Sequence, residues 1–356
     1  MKSIAVVCNY QLKPERIGSM DRFYIGFDAQ AKKLGYSIDW FFSSYDAFEF
    51  YENLTVHGAK NQSLEHLFLE HLKTQNTSYD VVITHFVELC TSFYKSVKAL
   101  NDSYVIAVDH NPRPLEGFSF KKRLKNKLKG IVYSKYINQF IGVSKYTQSH
   151  ILKDYGNFLK PKVKVVYNGI AVGRFKKRTL PNKNKFIVAS HLRHSKGIQD
   201  LINVVLLLDK DLIDKITIDI YGEGPYEKEL KSLTKTLKLE QFISFKGSSS
   251  KLPELFCNYS YMLQPTHMEC FSLSILESLS ANVPVITTQV GGNLEVISHG
   301  VNGYIFQAGD VNELVTILSS ISKAEIGITE DVSKKIEEEY FLEKMVEEHI
   351  KCLPCT

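Results

Sequence analysis

Glu269-Cys-Phe-Ser-Leu-Ser-Ile-Leu-Glu277, followed by Pro284-Val285 and Gly291-Gly292, decides how this chain is read. The apolar spacing of Leu273, Leu276 and Leu279 predicts a helix starting at about Ser272. Glu277 then lies more than one turn inside the helix, and Glu269 in the loop before it. The backbone N–H groups of Cys270, Phe271, Ser272 and Leu273 fall at the helix N-terminus. That end carries partial positive charge and suits an anion. A carboxylate on either side of an anion site suits a nucleotide diphosphate, one carboxylate for sugar hydroxyls and the other for ribose hydroxyls.

Outward from this stretch, apolar β-rich runs alternate with helical patterns. Strands are expected at 4–8, 38–42, 81–84, 104–108, 139–143 and 163–166 in the first half. In the second half they are expected at 186–189, 216–221, 243–245, 261–263, 284–287 and 304–306. Helical patterns lie between them, for example at 21–34 and 63–74. This alternation predicts an α/β chain with parallel sheets built from βαβ units. The stretch 169–184 is basic and irregular, contains Pro181, and reads as a linker. The last pattern, 332–350, is helical and acidic.

The 356 residues suffice for two domains, each with its own core. A hydrophobic share of 44% and a charged share of 23% belong to a soluble globular protein. No run of about eighteen apolar residues occurs, so no membrane-spanning helix is expected. Lys2-Ser-Ile-Ala-Val-Val-Cys8, followed by Asn9, reads as a first strand and not a signal peptide. The six cysteines are scattered. Cys352 and Cys355 are spaced C-x-x-C without a second pair or histidine cluster, so free thiols in a reducing cytosol are expected. Asp209-Lys-Asp211 reads as surface charge, and no metal site is expected from it.

The net charge of +5 is unevenly placed. Lys121, Lys122, Arg123, Lys125, Lys127 and Lys129 occur without an intervening acid, while Phe118, Phe120, Leu124, Leu128 and Ile131 recur at roughly helical spacing. One reading is a cationic amphipathic helix lying on an anionic membrane surface. The other is a solvated helix face packed on its own domain. No nucleic-acid-binding motif accompanies it.

Further motifs arrive in a fixed order. Ile17-Gly18-Ser19 sits between the first strand and the first helix, and His110 follows the strand at 104–108. Gly142-Val-Ser144 and Asn168-Gly169 come next. Ser190-His-Leu-Arg-His-Ser-Lys196-Gly197 follows a strand and opens a helix. Tyr221-Gly-Glu-Gly-Pro225 ends another strand, then come Lys246-Gly247 and Gln264-Pro265-Thr266. With Glu269 and Glu277 spaced E-x7-E, the chain resembles the retaining GT-B glycosyltransferases of family 4, glycosyl transferases group 1.

The resemblance implies two Rossmann-like domains with parallel sheets facing an interdomain cleft. Residues 1–168 would be the acceptor side, 169–184 a linker, and 185–335 the nucleotide-sugar side. The helix in 336–356 would cross back to the first domain. It implies transfer of a sugar from a nucleotide-sugar, with UDP the expected nucleotide, to a saccharide or lipid-linked hydroxyl with retention, in surface polysaccharide, lipopolysaccharide or glycolipid biosynthesis. Another GT-B activity (a sugar phosphorylase or an epimerase) and a non-catalytic nucleotide-sugar or membrane module are the alternatives. Catalytic roles fall on Glu269, His110, Lys196 and Arg193. Donor contacts fall on Gly18, Gly222, Gly224, Lys246, Cys270, Phe271, Ser272, Leu273 and Glu277. The arginine expected before Lys196 is replaced by His191, with Arg193 two residues on, so the second cation is one of these two. No metal and no cofactor are implied, no nucleic acid partner, and a cytoplasmic location that includes the membrane face.

Overall fold

The computed structural model describes residues 2–14, 17–75, 77–179 and 184–354. The strands are β1 (Lys2–Leu12), β2 (Tyr36–Tyr45), β3 (Thr55–Gly58), β4 (Val81–His85), β5 (Tyr104–Asp109), β6 (Gln139–Gly142) and β7 (Val163–Val165). They continue with β8 (Lys185–Ala189), β9 (Thr217–Tyr221), β10 (Ile243–Gly247), β11 (Tyr261–Gln264), β12 (Val285–Thr288) and β13 (Gly303–Phe306). The helices are α1 (Ser19–Lys33), α2 (Leu64–Thr74), α3 (Ser92–Leu100), α4 (Phe120–Tyr133), α5 (Lys145–Tyr155), α6 (Ile198–Leu207) and α7 (Lys210–Ile213). They continue with α8 (Glu227–Thr236), α9 (Leu252–Leu255), α10 (Leu273–Ser280), α11 (Asn293–Val296), α12 (Val311–Ser322), α13 (Lys334–Glu339) and α14 (Leu342–Ile350).

The chain divides into two compact units, one of Met1–Gly169 with Leu342–Thr356 and one of Ile170–Phe341. The first holds a seven-stranded sheet in the order β3-β2-β1-β4-β5-β6-β7. The second holds a six-stranded sheet in the order β10-β9-β8-β11-β12-β13. Every pairing within the two sheets is parallel. Parallel strands need helical crossovers, which cover both faces of the sheet, so such strands read as continuous apolar runs. That is why Val81-Val-Ile and Val105-Ile-Ala-Val were legible. The chain is thus two doubly wound, Rossmann-like units.

In the first unit, one sheet face carries Ala5, Val7, Phe41, Val82 and Val105 against Phe68, Phe93 and Ile151 of α2, α3 and α5. The other carries the fully buried Trp40 and Phe42, stacked with centroids 5.7 Å apart, beside Tyr24 and Phe27 of α1. Alternation along β2 sends successive rings to opposite faces. The closing helix α14 packs on α1, with the Phe23 and His349 rings 4.7 Å apart. A methyl at Gly26 would lie 3.2 Å from Val346, so the absent side chain sets the helix spacing.

Three local expectations differ from the structure, and one strand, β3, was not expected. Thr-Val-His-Gly is a four-residue edge strand held only by β2. The described part of 169–184 is packed onto the second unit and is not a free linker. Arg178 donates its backbone N–H to the Ala281 carbonyl and its guanidinium to the Ser260 carbonyl. Pro181 lies outside the described residues, as does Cys355. The helical pattern 332–350 is two helices, broken where Tyr340 leaves helical geometry and its carbonyl accepts from Ile170. The boundary expected at 335/336 therefore falls at Phe341/Leu342.

Candidate active site

In a parallel sheet, ligands gather at the carboxyl ends of the strands, where the strand order reverses. In the second unit that point lies between β8 and β11. Lys196 follows β8 and Glu269 follows β11. The Lys196 ammonium lies 2.8 Å from Glu269 Oε2, so the two residues singled out most strongly in the sequence meet in space.

The loops that carry them are clamped together through backbone. Gly197 adopts φ +69°, and a Cβ there would lie 1.8 Å from the Pro265 carbonyl oxygen. Only glycine permits that approach. His267 N–H donates to the Ser195 carbonyl at 2.8 Å, and Thr266 Oγ1 donates to the same oxygen at 3.2 Å. The His267 imidazole pairs with Asp200 of α6. Behind Glu269, Gly291 at φ +66° would place a Cβ 2.1 Å from the Glu269 carbonyl oxygen. Gly292 N–H donates to the Cys270 carbonyl at 3.0 Å.

Gly222 and Gly224 close the opposite side. Their Cβ atoms would sit 1.9 Å from the Ser190 carbonyl oxygen and 2.2 Å from that of Leu192. Leu192 and Glu223 share a backbone bond of 2.9 Å, and Gly222 N–H donates to the Gly247 carbonyl. Both glycines therefore shape the loop carrying Lys196. Arg193 and His191 are exposed in that loop, and no described residue pairs with Arg193. Lys246 is not brought into the group, because its ammonium pairs with Asp219 of β9 at 3.2 Å, where Tyr259 also donates to that carboxylate.

The helix expected at Ser272 starts there. Ser272 is the N-cap of α10, and its Oγ accepts from Ile275 N–H and from Gln264 Nε2 at 2.6 Å. An N-cap hydroxyl satisfies one of the exposed N–H groups of the first turn. Gln264 also reaches Glu269 Oε2 at 3.4 Å. Cys270 N–H is not open as expected, because it donates to Glu269 Oε1 at 3.1 Å. The Phe271 ring is buried against Tyr340, while Leu273 and Glu277 are half-buried. His267 and Asp200 carried no signal that set them apart, because their pairing joins residues remote in sequence.

His110 and Gly18 belong to the first unit. His110 follows β5, is 6% exposed, and places Nε2 3.0 Å from His85 Nδ1. His85 is thus its partner and not a separate contact. Burial pushes His110 down to about 3 and His349 to about 4, and drives His85 well below the usual histidine range, so all three are neutral near pH 7. Gly18 caps α1, and its N–H donates to the Asp21 carboxylate at 2.8 Å.

The chain is similar in sequence and in fold to known proteins. Residues 172–339 match the family model described as glycosyl transferases group 1. The chain is 27% identical over 214 residues to N-acetyl-alpha-D-glucosaminyl L-malate synthase of Bacillus anthracis, a match covering 56% of each protein. It is 28% identical over 224 residues to the GtfA subunit of UDP-N-acetylglucosamine–peptide N-acetylglucosaminyltransferase of Streptococcus parasanguinis, covering 59% of this chain and 44% of that one. The chain thus spans about half the length of these curated relatives. Among solved structures, Anabaena HepE in complex with UDP and glucose superposes with a TM-score of 0.78 at 19% identity, over 99% of both chains. That likeness is one of fold.

Proposed function

We propose, from the match of residues 172–339 to the glycosyl transferases group 1 model, that the chain is a retaining, metal-independent glycosyltransferase. It moves a sugar from a UDP-sugar to a hydroxyl of a saccharide or lipid-linked acceptor, in surface polysaccharide, lipopolysaccharide or glycolipid biosynthesis. The observation that carries this reading is the Lys196–Glu269 pair at the strand-order reversal, 2.8 Å apart beside the N-terminus of α10. A relative named for UDP-N-acetylglucosamine and a structural neighbour in complex with UDP support the choice of nucleotide.

In this scheme the diphosphate is the leaving group, and its charge grows as the glycosidic bond breaks. Lys196, Arg193 and the first N–H groups of α10 stabilise that charge, and they are prearranged by the glycine clamps. The acceptor hydroxyl attacks from the face the diphosphate leaves, and a phosphate oxygen takes its proton. Glu269 holds sugar hydroxyls once Lys196 turns to phosphate, and Glu277 holds the ribose. His110, neutral and hydrogen-bonded to His85, is a polar contact on the first unit. The test is a thermal-shift screen with UDP, GDP, ADP and their sugar conjugates, since a ligand that binds only the folded state raises the melting temperature. UDP or a UDP-sugar should give the largest rise. A preference for GDP or ADP would overturn the nucleotide, and no rise with any would sink the donor site.

We also propose that the enzyme works on the cytoplasmic face of an anionic membrane. In α4 only Asn126 and Gly130 are buried, while Phe120, Leu124, Leu128 and Ile131 are 53–72% exposed. This apolar row and the flanking lysines are the two components of interfacial binding. No helix among the described residues is long and apolar enough to cross a membrane. Neutralising Lys121, Lys122 and Lys125 to Gln should weaken binding to phosphatidylglycerol vesicles by about 3 kcal/mol at low salt, near 1 kcal/mol for each charge. Equal sedimentation of variant and wild type with the vesicles would return α4 to a solvated face.

A further inference from the structure

Gln264 ends β11, beside the strand-order reversal of the second unit, and follows the buried run Tyr261-Met-Leu263. It is 4% exposed. A primary amide in such a place is tolerated only when its donors and its oxygen are matched. Gln264 Nε2 donates to Ser272 Oγ at 2.6 Å and to Glu269 Oε2 at 3.4 Å. Thr287 of β12 places Oγ1 3.0 Å from the Gln264 carbonyl oxygen and 3.4 Å from its Oε1. Asn293 of α11 in turn donates Nδ2 to Thr287 Oγ1 at 3.0 Å. Glu269, Ser272, Thr287 and Asn293 are themselves buried. We propose that Gln264 is a positioning residue for sugar transfer, holding the Glu269 carboxylate in its sugar-binding orientation after Lys196 has turned to the diphosphate. The inference rests on the donor-site reading and deepens it.

The amide can face the site in only one sense. Turned over, it would set its oxygen against the Glu269 carboxylate, two acceptors facing each other. Glu269 Oε2 is shared between the Lys196 ammonium at 2.8 Å and the Gln264 amide, while Oε1 takes the Cys270 N–H at 3.1 Å. Departure of the lysine leaves one donor on each oxygen, the side-chain amide on Oε2 and the backbone on Oε1. The carboxylate then stays fixed, and its remaining lone pairs can accept from sugar hydroxyls. The 3.4 Å separation is long for an amide bond, which fits an oxygen already held by the lysine. Such contacts tighten when the complex forms.

The neutrality of the amide matters as much as its reach. A second cation would compete with the sugar for the Glu269 charge, and a second carboxylate would repel it. Gln264 orients Glu269 without either effect, so Lys196 remains free to leave. The same nitrogen also holds Ser272, the N-cap of α10. One amide therefore ties the carboxylate assigned to the sugar to the helix end assigned to the diphosphate. Groups fixed relative to each other before the reaction are what prearranged stabilisation of a transition state requires.

The experiment is isothermal titration calorimetry on the full chain with UDP, UDP-glucose and UDP-N-acetylglucosamine. Wild type is compared with Gln264→Leu and Gln264→Glu on both sides of neutral pH. Gln264→Leu keeps the bulk and loses the donors. It should weaken whichever sugar conjugate wild type binds more tightly by about tenfold. UDP carries no transferred sugar for Glu269 to hold, so its affinity should stay unchanged. The carboxyl introduced by Gln264→Glu donates only when protonated, and when ionised it repels Glu269. Relative to wild type at the same pH, that variant should bind the sugar conjugate well in acid and lose affinity as pH rises. If Gln264→Leu does not fold, Gln264→Glu carries the test. Equal losses for UDP and its conjugates would make Gln264 a merely structural residue and overturn the proposal. Unchanged affinity for the conjugate in both variants would overturn it as well. Those two results leave the donor reading standing, whereas a wild type that binds none of the three ligands overturns that reading and this role with it.

Discussion

Lys196→Ala is expected to lower kcat/KM for UDP release from the donor by a factor on the order of 10²–10³, with little change in folded stability. The two effects separate for a physical reason. In the ligand-free protein Lys196 pairs with Glu269, and the lysine side chain is 21% exposed. A partly exposed pair of this kind contributes at most about 1 kcal/mol to stability. Glu269 also keeps Gln264 and its own bond to Cys270 N–H when the lysine is gone. In the reaction the same ammonium would face a diphosphate whose charge is growing, and a prearranged cation there is worth about 3–4 kcal/mol. A melting curve and a UDP-release assay on the variant check both halves. An unchanged rate would remove Lys196 from the mechanism, and a large fall in melting temperature would make its role structural.

Gly197→Ala should unfold or strongly destabilise the second unit although it removes no functional group. Its φ of +69° already costs an L-residue about 1–2 kcal/mol. The new methyl would also meet the Pro265 carbonyl oxygen at 1.8 Å, so backbone must move. Overpacking of this kind costs about 1–3 kcal/mol more. The displaced segment is the junction between the Lys196 loop and the Glu269 loop, so donor binding should fall with stability. Gly300 is the control, because it has φ +76° but nothing within 4 Å of its missing Cβ. Gly300→Ala should show only the conformational cost. Similar melting temperatures for the two variants would mean that the loops are not held together by this contact.

The parts of the chain that could be read in advance are those whose physics is local. Buried parallel strands are continuous apolar runs, so Val81-Val-Ile and Pro284-Val-Ile were visible as strands. Ser272 as a helix cap needs only its own neighbours. Lys196 and Glu269 were each legible from their motifs, and they meet because they lie in loops after the neighbouring strands β8 and β11. The features that escaped depend on partners far along the chain. The edge strand β3 exists only through β2. Arg178 is packed through Ala281 and Ser260, so the basic stretch around it resembled a linker. The helical pattern before Ile350 breaks because Ile170 claims a carbonyl. The bonds from Asn293 through Thr287 to Gln264 run from α11 through β12 to β11, and no spacing rule joins them. The pairing of Lys246 with Asp219 on the neighbouring strand was not legible for the same reason.

The most direct measurement of the central claim is a crystal structure of the chain with UDP bound. The account predicts that Lys196 leaves Glu269 and contacts the diphosphate, with phosphate oxygens on the first N–H groups of α10 and the ribose hydroxyls on Glu277. A diphosphate bound away from the ends of β8 and β11, with the Lys196–Glu269 pair intact, would contradict it.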